Sequence, residues 1–489
     1  MPIVFGTDGW RDVIAGDFTF ANVRRAARGI AEFLLSPARE KLEVYRAKPG
    51  LPSPSPFRPA SAGVLVGYDT RFLSDLFAEE AARVLAAGGI PVWLASEADS
   101  TPAISFAVKE KQACGAIVIT ASHNPPRYNG MKYKAEYAGS GLPEMMEAIA
   151  AEVEKVRDEP LPAATETPAH IHKFLPRTGY LEHLGSLVDL ERIAAAGFKI
   201  IADPMHGASR GYLKSLLSSA GGWCREIRGD INPSFGGVNP EPIEKNLKAL
   251  IEAVRADGAA VGLAFDGDGD RIGAVDSGGG FVNPHQIIAL LLRHLILNRK
   301  WSGAVARTIS TTRMLDLLAK RFGLPLFETP VGFKHICSLM MTENVLIGGE
   351  ESGGIGFKNH IPERDGILSA LLLLEAMAFE NATLSQLLAS LREEIGPFSF
   401  QRMDAPLSGD RSGGDILAGL AEKAPGFIRE IPVAEVLTSD GVKYVLKDDS
   451  WLLFRASGTE PLLRIYAEAS SAEKANALIL AGKKLALGG

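Results

Sequence analysis

One repeated piece of grammar constrains this chain more than anything else in it. A short apolar run ends in polar residues, an amphipathic stretch follows, a glycine closes it, and a second apolar run begins. This occurs at residues 63–69, 75–87, Gly88-Gly89 and 90–94. It recurs at 198–203, 212–219 and Gly221-Gly222, and again at 304–308, 314–321 and Gly323. Strand-length apolar runs alternating with glycine-closed helices predict βαβ units and mainly parallel, mixed sheets. Copies this far apart predict three related α/β domains rather than a solenoid. After Gly396 the grammar changes. Residues 451–454 and 462–467 read as strands and 472–487 as a terminal helix, which predicts a smaller C-terminal α+β domain. The expected boundaries are 1–172, 173–281, 282–395 and 396–489.

Composition narrows the function classes. The 489 residues are 46% apolar and 22% charged, enough to build several cores and incompatible with a disordered chain. A net charge of −6, from 52 basic and 58 acidic residues, argues against a dedicated nucleic-acid binder and for a small substrate. Cys114, Cys224 and Cys337 are too few and too scattered for a disulfide framework or a paired-cysteine metal site. The N-terminus lacks a signal-peptide pattern. The apolar stretches at 287–297 and 367–379 are too short or too interrupted, by Arg293, His294 and Glu375, to span a bilayer. A cytoplasmic protein, monomer or homodimer, with no membrane partner is expected. Pro49, Pro52, Pro54, Pro56 and Pro59 predict a mobile surface loop inside the first domain.

Four segments could carry chemistry. The apolar run 116–119 predicts a strand leading into Ala121-Ser122-His123-Asn124-Pro125-Pro126, with Lys132 close behind. A serine at the C-terminal end of an α/β strand sits where such sheets bind ligands, but it needs a base or electrostatic activation. Asp266-Gly267-Asp268-Gly269-Asp270-Arg271 follows the apolar run 260–265. In extended backbone alternate side chains share a face, so the three aspartates should converge. Carboxylates so crowded repel unless a cation offsets them, and hard oxygens suit Mg²⁺ or Ca²⁺. An EF-hand is excluded, since Arg271 and Ser277 stand where its glycine and glutamate belong. Gly348-Gly349-Glu350-Glu351-Ser352-Gly353-Gly354 could accept hydrogen bonds from a polyol, or be a polar loop between strand and helix. Arg455-Ala456-Ser457-Gly458-Thr459, with Arg464 nearby, has the makings of an anion nest, or of a hairpin turn. A competing motif, Gly207-Ala208-Ser209-Arg210-Gly211, fits the nucleophile elbow of serine esterases. It lacks an upstream oxyanion loop and leaves the aspartates idle.

Taken in order along the chain, the four segments resemble the α-D-phosphohexomutase family. Residues Phe5, Gly6, Thr7, Asp8, Gly9, Trp10 and Arg11 resemble its N-terminal segment, and residues 329–335 resemble its third-domain loop. The resemblance implies four domains around a central cleft, and a phosphorylated Ser122 that shares Mg²⁺ with Asp266, Asp268 and Asp270. It implies that Arg11 and Arg271 add positive charge and that Lys132 or His123 moves the sugar hydroxyl's proton, Lys132 being favoured. Lys334, His335, Glu350, Glu351 and Ser352 would bind the sugar. Arg455, Ser457, Gly458, Thr459 and Arg464 would hold the distal phosphate. The implied reaction moves phosphate between C1 and C6 of a hexose phosphate through an enzyme-bound bisphosphate, with glucose 1,6-bisphosphate as activator. Glu351 is the residue common in glucose-type members, so a phosphoglucomutase is expected, with phosphomannomutase or phosphoglucosamine mutase as the alternatives.

Overall fold

The structure, a computed structural model, describes residues 3–6, 9–45, 57–156, 170–407, 412–456 and 462–488. The chain forms two compact units, one of residues 1–304 with 332–385 and the other of 305–331 with 386–489.

The first unit begins with a six-stranded sheet in the order Trp10–Val13, Tyr128–Ala135, Gly115–Ile119, Val64–Tyr68, Val92–Ala95, Ile171–Phe174. The last four of these strands run parallel, and the first two are antiparallel additions. Val64–Tyr68 and Gly115–Ile119 are apolar at nearly every position because helices cover both faces of the sheet. The helices Phe20–Leu35 and Ser74–Ala87 pack into the core of one face, and Thr101–Glu110 packs on the other. A second sheet runs Phe281–Val282, Ile272–Asp276, Val261–Phe265, Lys199–Asp203, Trp223–Glu226. The hairpin Val345–Gly349 and Ile355–Phe357 completes the unit's strands. Gly366–Glu380 is apolar on nearly every side, interrupted by Ser369 and Glu375, and it is a core helix buried from Gly366 through Met377. Among the described residues no single helix is long and apolar enough to cross a membrane.

In the second unit Val305–Thr308 pairs in parallel with Leu326–Thr329. An antiparallel sheet follows in the order Ser399–Pro406, Leu462–Ala469, Trp451–Ala456, Val442–Leu446, Ile431–Leu437, Phe427–Ile428. The helix Ala472–Leu487, capped by Ser471, covers it. The strand, helix and glycine pattern placed these elements within one to three residues. The proline-rich loop lies mostly outside the described residues. At its flanks, the buried Arg39 donates to the Arg58 carbonyl at 2.8 Å and pairs with Glu136 at 2.8 Å.

Candidate active site

The strand Gly115–Ile119 ends in Thr120-Ala121, and Ser122 then turns sharply with φ 52°, a left-handed conformation uncommon outside glycine. A hydrogen-bonded frame holds that strained residue. Ser122 donates its N–H to Thr120 Oγ1 at 2.8 Å, and Thr120 Oγ1 donates to Asp69 Oδ2 at 2.6 Å. The Arg71 guanidinium donates to the carbonyls of Ser122 and Asn124, both at 2.6 Å, and to those of Pro125 at 3.0 Å and Tyr128 at 2.9 Å. Asp69 and Arg71 close the strand Val64–Tyr68, so a neighbouring strand end fixes the serine loop. The sequence reading passed over Arg71. Its signal was the polar cluster ending that apolar run.

Ser122 Oγ donates to Asp266 Oδ2 at 2.6 Å. Asp266, Asp268 and Asp270 are fully buried, and each offers an oxygen within 4.8 Å of the others. Convergence was expected from extended backbone, and the reason proves different. The segment is a tight turn in which Gly269, at φ +76°, donates its N–H to the Asp266 carbonyl at 3.1 Å. A turn brings the carboxylates together where a strand would have spaced them along an edge. A Cβ on Gly267 would lie 2.5 Å from the Ser122 carbonyl, so only glycine lets the two loops approach this closely.

Three cations face the three carboxylates. Lys132 Nζ lies 2.8 Å from Asp268 Oδ2 and 3.0 Å from Asp270 Oδ2. Arg364 reaches Asp270 Oδ2 at 2.9 Å and Glu350 Oε2 at 3.3 Å. Arg271 Nε stands 3.9 Å from Asp270 Oδ1 and 4.0 Å from Asp266 Oδ2. Burial and the charges of Asp270 and Asp268 push Asp266 well above the ordinary carboxyl range. Burial acts the same way on Asp268, but the Lys132 ammonium and the Thr101 hydroxyl outweigh it and hold that carboxyl low. Asp270 is likewise held low against burial, chiefly by Arg364. The buried oxygens Asp268 Oδ1 and Asp270 Oδ1 accept no hydrogen bond. Two open carboxylate oxygens beside a third carboxylate and a serine hydroxyl fit a small hard dication.

The remaining expected residues divide. Arg11, on Trp10–Val13, donates to Asn124 Oδ1 at 3.0 Å and so stands at the serine loop. His123 has a buried Nδ1 with no hydrogen-bond partner, and burial followed by Arg271 and Arg11 holds its pKa far below the usual histidine value. Glu350 is buried against Arg364, while Glu351 and Ser352 are half-buried. Their segment joins strands Val345–Gly349 and Ile355–Phe357 rather than a strand to a helix, closed by Glu350 N–H to the Gly354 carbonyl at 3.0 Å. It touches the metal-type loop where Ile272 donates to the Gly353 carbonyl at 3.2 Å. Lys334 and His335 lie in the first turn of Phe333–Thr342, and the Phe333 ring lies 5.5 Å from the Arg364 guanidinium. Arg364 was missed too. Its signal was a charged Glu363-Arg364-Asp365 run before an apolar helix. In the second unit Arg455 and Arg464 are directly cross-strand, and Arg455 pairs with Asp440 at 2.9 Å. Thr7, Asp8, Ser457, Gly458 and Thr459 lie outside the described residues. The esterase alternative fails, because Ser209 Oγ is buried and bonded to no base.

Profiles described as phosphoglucomutase/phosphomannomutase α/β/α domains I, II and III match residues 55–159, 178–279 and 283–395, and the C-terminal domain profile matches 418–481. The expected three α/β domains and smaller C-terminal domain are therefore borne out. A phosphoglucomutase/phosphomannomutase of Thermococcus kodakarensis is 35% identical over 86% of this chain and 89% of its own length. A phosphoglucosamine/phosphogalactosamine mutase of Sulfurisphaera tokodaii is 28% identical over the full length of both. A crystal structure described as a phosphomannomutase from Thermus thermophilus superposes with TM-score 0.83, at 36% identity and 99% coverage of each chain. The names of these relatives differ in the sugar and agree in the reaction type.

Proposed function

We infer that this chain, which belongs to the phosphoglucomutase/phosphomannomutase family and is a phosphotransferase isomerase, moves phosphate between C1 and C6 of a hexose phosphate through Ser122. The observation that carries this reading is the Ser122 hydroxyl, 2.6 Å from one carboxylate of a buried aspartate trio. The phosphorylated serine gives its phosphoryl group to a sugar hydroxyl. The Oγ–P bond breaks as a sugar O–P bond forms, and the resulting bisphosphate returns its other phosphate to Ser122. Phosphoryl transfer depends on in-line positioning and on offsetting charge at the transferring oxygens. Arg271 and Arg11 supply fixed positive charge beside the serine loop, and the Arg71 frame keeps Oγ from drifting off line. Asp266, Asp268 and Asp270 would hold Mg²⁺, which would supply charge neutralisation at the transferring phosphoryl oxygens. Lys132, against Asp268 and Asp270, accepts the proton of the attacking hydroxyl and returns it in the reverse half-reaction.

Glucose phosphate is the preferred sugar in this reading, supported by Glu351 in the hairpin loop. Glucose 1,6-bisphosphate primes the enzyme by phosphorylating Ser122. Arg455, Ser457, Gly458, Thr459 and Arg464 grip the non-reacting phosphate, and Lys334, His335, Glu350 and Ser352 orient the sugar. The test is a coupled mutase assay with glucose, mannose and glucosamine 1-phosphates side by side, paired with intact mass. Fastest turnover of glucose 1-phosphate, with a phosphate-sized mass increment lost in Ser122→Ala, is the expected result. Turnover that survives Ser122→Ala overturns the mechanism. Faster turnover of another sugar overturns the preference.

A further inference from the structure

Each functional carboxylate of the trio has two oxygens, and what binds one decides what the other can do. Asp268 Oδ2 accepts from Lys132 Nζ and also from Thr101 Oγ1 at 2.6 Å. Thr101 donates its backbone N–H to the Asp268 carbonyl at 2.9 Å as well, so one residue holds the aspartate by both main chain and side chain. Thr101 is fully buried and opens the helix Thr101–Glu110, whose cap is Ser100. The positive end of that helix therefore meets the carboxylate. A Cβ on Gly269 would sit 3.1 Å from Ser100 Cβ, so the helix start is pressed against the turn that carries the aspartates. The consequence is geometric. With Oδ2 occupied by two donors, the oxygen left open is Oδ1, which accepts no hydrogen bond.

We propose that Thr101 is a positioning residue for the metal site. By holding Asp268 Oδ2, it turns Oδ1 toward the point where the three carboxylates converge. The inference rests on the reading of Asp266, Asp268 and Asp270 as metal ligands. Groups that orient a ligand typically contribute 10–100-fold in metal affinity. Thr101 comes from the segment after the strand Val92–Ala95, outside the loop it supports, so the loop alone would not define its own geometry.

The experiment is Mg²⁺ titration of the metal-free, unphosphorylated full chain by isothermal calorimetry, with Mg²⁺-induced thermal stabilisation as a second readout. Thr101→Val keeps the shape and removes the hydroxyl, and about 10–100-fold weaker Mg²⁺ binding is expected. Thr101→Ser restores the hydroxyl and should bind within about threefold of the parent. Mutase assays on Thr101→Val should show the matching increase in the Mg²⁺ needed for half-maximal rate, with most of kcat recovered at saturating Mg²⁺. If the valine chain does not fold, Thr101→Ala carries the same expectation and the same refutation. Parent-like Mg²⁺ affinity in a folded hydroxyl-free variant overturns the role of Thr101 and leaves the metal site standing. Failure of the parent chain itself to bind Mg²⁺ overturns both.

Discussion

Asp99 carries a charge problem beneath the site. It is fully buried, accepts from the Tyr212 hydroxyl and from the Ser100 N–H at 2.8 Å, and leaves Oδ2 without a partner. Burial raises its pKa from 3.8 to about 6, against the opposing pull of Arg177. A raised carboxyl favours the folded state while protonated. Its stabilising contribution is complete below pH 3.8 and is lost as the pH rises through about 6. That gap corresponds to up to about 3 kcal/mol. Asp99→Asn should therefore match the parent at pH 4 and exceed it by about 1–3 kcal/mol at pH 8, read from urea unfolding at both values. At Lys132 the expected outcome concerns rate. Lys132→Met should lower kcat by about 10²–10⁴, as loss of a proton-transfer group does, while His123→Gln should cost less than about tenfold. Steady-state assays at saturating Mg²⁺ decide between them. Ser122, Lys132 and the aspartates could be singled out from sequence because each stands in a contiguous motif. Arg71, Thr101 and Arg364 stand outside those motifs, at polar ends of elements that do not name their targets, 51, 167 and 94 positions from the partners they hold.

Among the elements, the helix Gly366–Glu380 has an unusual entrance. Asp365 caps it, accepting from the Leu368 N–H at 2.8 Å and from the Tyr180 hydroxyl, with His360 Nε2 2.9 Å from its Oδ2. Gly366 donates its N–H to the Gly269 carbonyl at 3.2 Å, and a Cβ there would lie 2.4 Å from the Arg271 carbonyl. The helix start thus rests on the backbone of the aspartate turn, and the reason for glycine is steric. Gly366→Ala should cost about 1–3 kcal/mol, as overpacking does, and raise the Mg²⁺ concentration needed for activity. A shifted urea midpoint with an unchanged slope, together with a Mg²⁺ activation curve, checks both. Element type and extent were readable from the periodicity because apolar strands and glycine-closed helices write themselves into local sequence. The conformation of the aspartate turn was not, because alternating glycines are compatible with an extended segment as well as a tight one. The hairpin after Glu350 escaped for a related reason. Ile355–Phe357 is too short to announce a strand.

On the scale of the whole molecule, the aspartate trio belongs entirely to the unit of residues 1–304 and 332–385. A ligand stabilises the part it binds, by about 2.7 kcal/mol at a concentration one hundred times its dissociation constant. Calorimetric unfolding should accordingly show two transitions, with Mg²⁺ raising that of the aspartate-bearing unit and leaving the other in place. A single transition moved as a whole would show that the two units unfold as one. The overall plan was the most readable level of all, since four motifs in a fixed order span most of the chain. The division into units was not, because residues 305–331 join the later part of the chain across an intervening segment. Donors at Oδ2 of both Asp268 and Asp270 also bear on which ion the pocket tolerates. With Oδ2 of each engaged by donors, two-pronged chelation by either side chain is disfavoured. Calcium fills a roomier shell of six to eight oxygens partly through such two-pronged carboxylates, so a metal bound here as proposed would be chosen by denticity rather than by charge, in favour of the smaller ion that keeps its waters.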